Sequence, residues 1–283
     1  MNREIFLCAI NNILSGTCLE DCSFCTQSVR YHADIERYSY KAIEQIVAEA
    51  KMARGHGALG YCLVTAGVGL DDKKTEFVAS VASAIKASTP ELHLIACNGL
   101  ADKDQLTYLK QNGIDSYNHN LETSQRYYEQ ICTTHSWAQR YETCENVRSV
   151  GLSLCSGGIF GMGEEAEDRD ELLRAIASLS PDSTPLNFYI PNPALPIKQR
   201  NIDLTQALDI VRQSRELLGD EKLLMVAGGR EQIFASHERE MFDAGANAIV
   251  IGDYLTTGGD APKSDRDMLE SLGYEIASQC HAS

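Results

Sequence analysis

The segment GTCLEDCSFCTQS, Gly16 to Ser28, carries Cys18, Cys22 and Cys25 at the spacing C-x3-C-x2-C. Three thiolates on so short a loop can each hold one iron of a cubic [4Fe-4S] cluster, leaving the fourth iron open to a ligand from outside the chain. Zinc is the alternative. It needs a fourth protein ligand to close its tetrahedron, and the nearest candidate, His32, lies in a polar stretch. The spacing suits the cube better than the closed site.

Further cysteines, Cys62, Cys97 and Cys155, lie inside short apolar runs. Ten cysteines in a chain that opens on MNREIFLCAI, without a basic region followed by a long apolar run, point to a cytoplasmic protein using thiols for metal or redox chemistry. Disulfides are the less fitting use in a reducing compartment. No apolar stretch is long enough to span a bilayer, so a soluble protein is expected. The formal net charge of -15 argues against nucleic acid or an anionic membrane as partner, since both reward dense Lys and Arg.

Positioning these groups requires a scaffold, and the chain reads as alternating strands and helices throughout. The strand-like runs are IFLCAI, GYCLVTAG, LHLIACNG, IDSYNHN, LSLCSGGIFG, PLNFYIP, KLLMVAGG and NAIVIGDY. Amphipathic runs lie between them, such as KAIEQIVAEAKMAR and DLTQALDIVRQSRELL, the latter with Asp203 placed to cap its start. Eight such units in 283 residues, with no linker, predict one α/β domain over 1–283, a (β/α)8 barrel of the TIM type. The cluster loop, 16–28, follows the first strand, and 275–283 reads as a frayed tail. An open doubly wound sheet is the alternative.

In a barrel, chemistry belongs at the C-terminal ends of the strands. There the sequence offers Cys62, Cys97-Asn98, Tyr117-Asn118-His119-Asn120, Cys155, Asn187, Gly228-Gly229-Arg230 and Asp253 with Thr256-Thr257 beyond. Thiols, amides and a guanidinium would converge on one cavity.

The three-cysteine loop resembles that of the radical S-adenosylmethionine (SAM) superfamily, in which the open iron is chelated by SAM. Phe24 matches the superfamily's aromatic position near the adenine. The segments SYNHNLETS, LCSGGIFGMGE, VAGGREQ and GDYLTT, spread in order over nearly the whole chain, are similar to those of the biotin synthases.

This resemblance implies an enzyme of biotin biosynthesis that inserts sulfur into dethiobiotin. A [4Fe-4S] cluster on Cys18, Cys22 and Cys25 would reduce SAM to give a 5'-deoxyadenosyl radical. A second cluster, [2Fe-2S], would donate the sulfur, held by Cys62, Cys97, Cys155 and Arg230. SAM contacts carry over to Phe24, Asn120, Glu122, Gly157, Ile159 and Gly161, with Glu164 completing G-x-I-x-G-x-x-E. Substrate contacts carry over to Asn118, Asn120, Asn187, Thr256 and Thr257. The family's G-G-E signature after the second strand is absent, the chain reading VTAGVG. Cys8, Cys132, Cys144 and Cys280 have no cluster counterpart and read as packing or surface thiols. An electron donor such as flavodoxin or ferredoxin and a homodimer are implied as partners. Maturase or mutase relatives on the same barrel, and a non-catalytic metal protein, remain the rival readings. Metal analysis separates the last of these, with iron and sulfide expected and about one zinc per chain as the contrary result.

Overall fold

The computed structural model describes residues 4–253, 259 and 261–279. Along the chain run β1 (Glu4–Leu14), α1 (Ile43–Gly55), β2 (Gly60–Thr65), α2 (Asp72–Ser88), β3 (His93–Cys97), α3 (Lys103–Gln111) and β4 (Ser116–Asn118). Then follow α4 (Tyr128–Ile131), α5 (Trp137–Ser149), β5 (Ser153–Cys155), β6 (Gly158–Phe160), α6 (Ala166–Ser178) and β7 (Ser183–Phe188). The remaining elements are α7 (Leu204–Leu218), β8 (Leu223–Val226), α8 (Arg230–Phe234), α9 (Glu238–Asp243), β9 (Ala248–Val250), α10 (Pro262–Leu272) and β10 (Glu275–Ile276). Strands β1, β2, β3, β4, β5, β7, β8 and β9 pair in parallel in that order, and β9 returns to β1. The ring is closed, as the alternation of elements predicts, and the open sheet is excluded.

Local signals set the helix starts. Asp102 with Gln105, Ser136 with Gln139 and Asp203 with Gln206 form reciprocal capping boxes at α3, α5 and α7. Each satisfies two backbone N–H groups that the first helical turn leaves orphaned, and a cap of this kind contributes about 1 kcal/mol. The helices bury their apolar faces on the outside of the ring, as α7 does with Ala207, Ile210 and Val211.

Two expectations differ from the structure. The run LSLCSGGIFG, expected as one strand, breaks into β5 and β6. A Cβ at Gly157 would lie 1.9 Å from the Pro185 carbonyl oxygen, so the backbone there crosses too close to β7 for any side chain. The Gly157 N–H is taken by Asn120 Oδ1 at 3.1 Å rather than by a strand neighbour. At the other end, Glu275 and Ile276, expected in a frayed tail, pair in parallel with Glu4 and Ile5.

Register sorts the barrel interior. Strand tilt sets each register partner about one residue lower than its neighbour, so inward side chains fall into layers of four from alternate strands. The pairings Cys8 with Gly60, Ile10 with Cys62 and Cys62 with Ile95 begin the circuit, and Asn118 with Cys155, Cys155 with Ser183 and Pro185 with Met225 continue it. Cys8, Ile95, Cys155 and Met225 share one layer; Cys62, Asn118, Pro185 and Val250 form the next above it.

Outside the ring, Arg230 at the start of α8 donates through Nη2 to Asp265 Oδ1 on α10 and to Glu231 Oε1 at 3.0 Å. Arg230 and Asp265 are 2% and 1% exposed, so this ion pair ties two helices together away from water. Removing Asp265 takes one of two carboxylates from a buried guanidinium. Asp265→Ala is expected to destabilise the cluster-free chain by about 3 kcal/mol, read from the urea unfolding midpoint.

Candidate active site

A cavity of about 470 Å³ opens at the C-terminal end of the barrel, with Cys18, Cys22 and Cys25 on its wall. Beneath it lies a chamber of about 90 Å³ whose wall includes Cys8, Cys62, Cys155 and Met225. Ile10, Asn118, Asn120, Asn187 and Ala227 border both spaces. One shaft therefore runs from the mouth to the middle of the barrel.

The three-cysteine loop is held by its backbone. Cys18 N–H donates to Gln27 O at 3.3 Å, Val29 N–H to Cys18 O at 2.8 Å, and Ser23 N–H to Ile131 O at 2.8 Å. Asp21 accepts from the Thr133 and Thr134 N–H groups at 2.9 and 3.3 Å and from both hydroxyls. Burial works to raise the Asp21 pKa, but these bonds outweigh it and hold the carboxyl well below the usual range. The loop is thus clamped to the 131–134 segment by hydrogen bonds of the protein itself.

Cys132, expected to be a packing thiol, stands beside the loop. Cys22 Sγ lies 3.6 Å from Cys132 Sγ, which lies 3.2 Å from His135 Nδ1. Arg140 Nη2 donates to His135 Nε2 at 3.2 Å, and Glu20 Oε2 lies 3.0 Å from Nδ1. The hydrogen bond to Cys132, with burial, pushes the Cys22 thiol up, and burial pushes Cys25 up to about 11. Iron binding must displace these protons.

On the opposite wall, Glu122 adopts φ 69° and lies with Oε1 3.4 Å from Arg140 Nη1. Burial raises the Glu122 pKa, with Arg140 acting against it. Arg140 keeps its charge although burial opposes it, because Glu122, Tyr128 and Cys22 surround it. Asn118 Oδ1, His119 Nε2 and Glu122 Oε2 are buried, face this wall and have no hydrogen-bond partner among the described residues. Buried polar atoms left open in this way fit a polar ligand such as SAM or a ureido ring. Phe24 and Ile159 add apolar wall.

Other expected contacts lie elsewhere. Gly157 and Gly161 are not on the cavity wall. Gly157 packs on β7, and Gly161 N–H donates to Glu164 Oε1 at 2.7 Å, where Glu164 also accepts from Met162 N–H and from Arg169. These residues shape the turn that presents Ile159. Asn187 borders the shaft, but its Oδ1 accepts from Gly228 N–H at 3.0 Å and its Nδ2 donates to Gly158 O at 3.1 Å. Its carboxamide braces the broken fifth strand against β7 and β8. Thr256 and Thr257 lie outside the described residues, as does Cys280.

The inner thiols are brought together. Cys62 and Cys155 line the chamber, and Cys97 packs against the same apolar cluster as Cys62 from the mouth side. A hydrogen bond with Cys97, then burial, pushes the Cys62 thiol well up, and burial pushes Cys155 up to about 12. Arg230 does not join them. Its guanidinium is engaged by Asp265 and Glu231 on the helix side of the wall, and β8 presents Met225 and Ala227 to the shaft instead. Cys8, Cys132, His135 and Arg140 were not singled out as site residues by the sequence. Cys8 alone had a usable signal, since Phe6, Cys8 and Ile10 alternate on the inward face of β1.

Known proteins share the sequence and the barrel of this chain. The family model described as Radical SAM superfamily matches residues 12–176, and that described as Biotin and Thiamin Synthesis associated domain matches 185–275. Methylornithine synthase superposes with a TM-score of 0.83 at 21% identity, covering 98% of this chain and 85% of that one. A FeFe-hydrogenase maturase from Carboxydothermus hydrogenoformans gives 0.85 at 15% identity, covering 99% and 69%. At such identities the likeness is one of fold. In sequence, the chain is 71% identical to the biotin synthase of Sulfurovum sp. over 98% of both chains. It is 56% identical to that of Nitratiruptor sp., covering 98% of this chain and 99% of that one, and 52% identical to that of Helicobacter pylori, covering 99% and 100%. With the cysteine loop, the closed barrel and relatives of this identity along their whole length, the chain belongs to the biotin synthase family of the radical SAM superfamily.

Proposed function

We propose that this chain converts dethiobiotin to biotin, holding a [4Fe-4S] cluster on Cys18, Cys22 and Cys25 and a sulfur-donating [2Fe-2S] cluster on a set that includes Cys62, Cys97 and Cys155. The observation that carries this reading is the single shaft with a three-thiol loop at its mouth and cysteines at its base. When bound, the clusters and SAM supply the radical and the sulfur.

The chain's own part is to bind and orient. A neutral ureido ring offers N–H donors and a carbonyl acceptor, and Asn118, with Oδ1 open, can accept from it. Asn120 acts indirectly: its Oδ1 fixes Gly157, while its amide lies against Glu122. Glu122, held by Arg140, presents its second oxygen to the cavity, where a ribose hydroxyl would be a suitable donor. Phe24 and Ile159 provide apolar surface for an adenine. Phe6 and Leu223 stand on the lower wall of the chamber beside the polar His93, Ser116, Asp182 and Ser183.

A soluble cytoplasmic enzyme that receives electrons from a small carrier such as flavodoxin or ferredoxin is part of the same reading, as is a homodimer. No helix among the described residues is long and apolar enough to cross a membrane.

Two substitutions separate the functions of the shaft. Cys22→Ala is expected to abolish 5'-deoxyadenosine formation from SAM, measured by chromatography after anaerobic reduction; undiminished product would defeat the cube assignment. Cys155→Ala should still cleave SAM yet form no biotin in a single turnover. Asn118→Ala is expected to weaken dethiobiotin binding about tenfold, roughly 1.4 kcal/mol, with both clusters keeping their absorbance. Equal affinity in variant and parent, measured with SAM present, would remove Asn118 from substrate recognition.

A further inference from the structure

The inner chamber contains a thiol that the expected cluster set omits. Cys8 lies on β1 in register with Gly60 of β2 and Val250 of β9, and its side chain lines the chamber. A Cβ at Gly60 would come within 3.2 Å of Cys8 Sγ, so the missing side chain of Gly60 leaves room for that sulfur on the inner face of β2. Cys8 shares its layer with Cys155, on the far side of the ring, while Cys62 on the adjacent strand stands one layer higher. Cys8, Cys62 and Cys97 belong to one packed cluster.

We propose that Cys8 is the fourth protein ligand of the inner cluster, completing an all-thiolate set with Cys62, Cys97 and Cys155. The proposal rests on the reading that this chain holds an inner [2Fe-2S] cluster. The expected fourth ligand, Arg230, is turned to Asp265 and Glu231 outside the shaft. A guanidinium between two carboxylates stays protonated, and in that form it has no lone pair to give. The neighbour of Cys8 in its own layer on β8 is Met225, whose thioether is a weak donor beside a thiolate. Cys62 and Cys97 would come to the cluster from adjacent strands, and Cys8 and Cys155 from one layer on opposite sides of the ring. Each thiol releases its proton on binding iron. A fourth thiolate in place of a neutral donor adds one negative charge to the cluster, which shifts its reduction potential to more negative values.

The test is anaerobic reconstitution of the full chain and of Cys8→Ala, Cys8→Ser and Met225→Leu, followed by iron and sulfide analysis, visible absorption and Mössbauer spectra. Cys8→Ala is expected to lose the inner share, about a third of the iron, while keeping the cube. Cys8→Ser should retain iron with absorption bands moved to shorter wavelength by an oxygen ligand, and Met225→Leu should match the parent. Serine is close in size to cysteine, so that variant still reports if the alanine variant fails to fold. Full inner iron with parent-like spectra in both Cys8 variants would overturn the assignment, as would loss of the inner cluster in Met225→Leu alone. A parent that takes up only the iron of the cube would instead overturn the inner-cluster reading itself.

Discussion

Closure of eight parallel strands makes every second residue point into a space that only a few side chains can fill. The site is a consequence of that constraint. In an ordinary barrel the inward layers are packed with Val, Ile and Leu. Here two successive layers give places to Cys8 and Cys155, then to Cys62 and Asn118, and the packing opens into a chamber instead. Helices with capped starts hold the ring from outside, so the inner layers can be given over to ligands without loss of the fold.

Charge is distributed along the shaft in the same ordered way. Among the described residues the inner chamber is lined by thiols, amides, His93 and Asp182 but no guanidinium, whereas the mouth has Arg140 against Glu122, with His135 and Glu20 behind the Cys22 loop. A loop that gathers three thiolates concentrates negative charge, and the buried Arg140 acts on Cys22 and Cys25 to offset it. Neighbouring side chains must fix Arg140, because an unpaired guanidinium would be costly at that depth. The Glu122, Tyr128 and His135 contacts do this from three sides.

Much of the fold was legible because each strand run carries its own signal. Apolar, β-branched segments separated by capped amphipathic helices allow few topologies, and the pairing of β9 with β1 decides for the closed barrel over the open sheet. The three-cysteine loop was legible for the same reason, since its ligands are local. What could not be read depended on contacts between distant segments. The break after Cys155 arises from the close crossing of Gly157 over Pro185, and no local pattern records that crossing. Asn187 looked like a substrate amide by position, yet both of its polar ends are used by Gly158 and Gly228. Cys132 and His135 approach Cys22 only because the segment after α4 folds under the loop.

The contrast between Arg230 and Cys8 shows how phase decides membership of a barrel site. Along β8, Leu223 and Met225 face inward, and Ala227 continues that face just past the strand end. The chain then turns through Gly228 and Gly229, the latter at φ 80°, a conformation that glycine adopts without strain. The turn ends the period of two, so Arg230 begins a helix and is directed to Asp265. Nearness in sequence to a strand end therefore does not place a side chain in the shaft. Cys8, in the middle of an apolar strand with no motif around it, is in phase with Phe6 and Ile10 and does face inward. The chemistry available at the base of the barrel is set by that phase: a thiol stands within the wall where the motif suggested a guanidinium, and the charge carried by any metal group bound there changes with it.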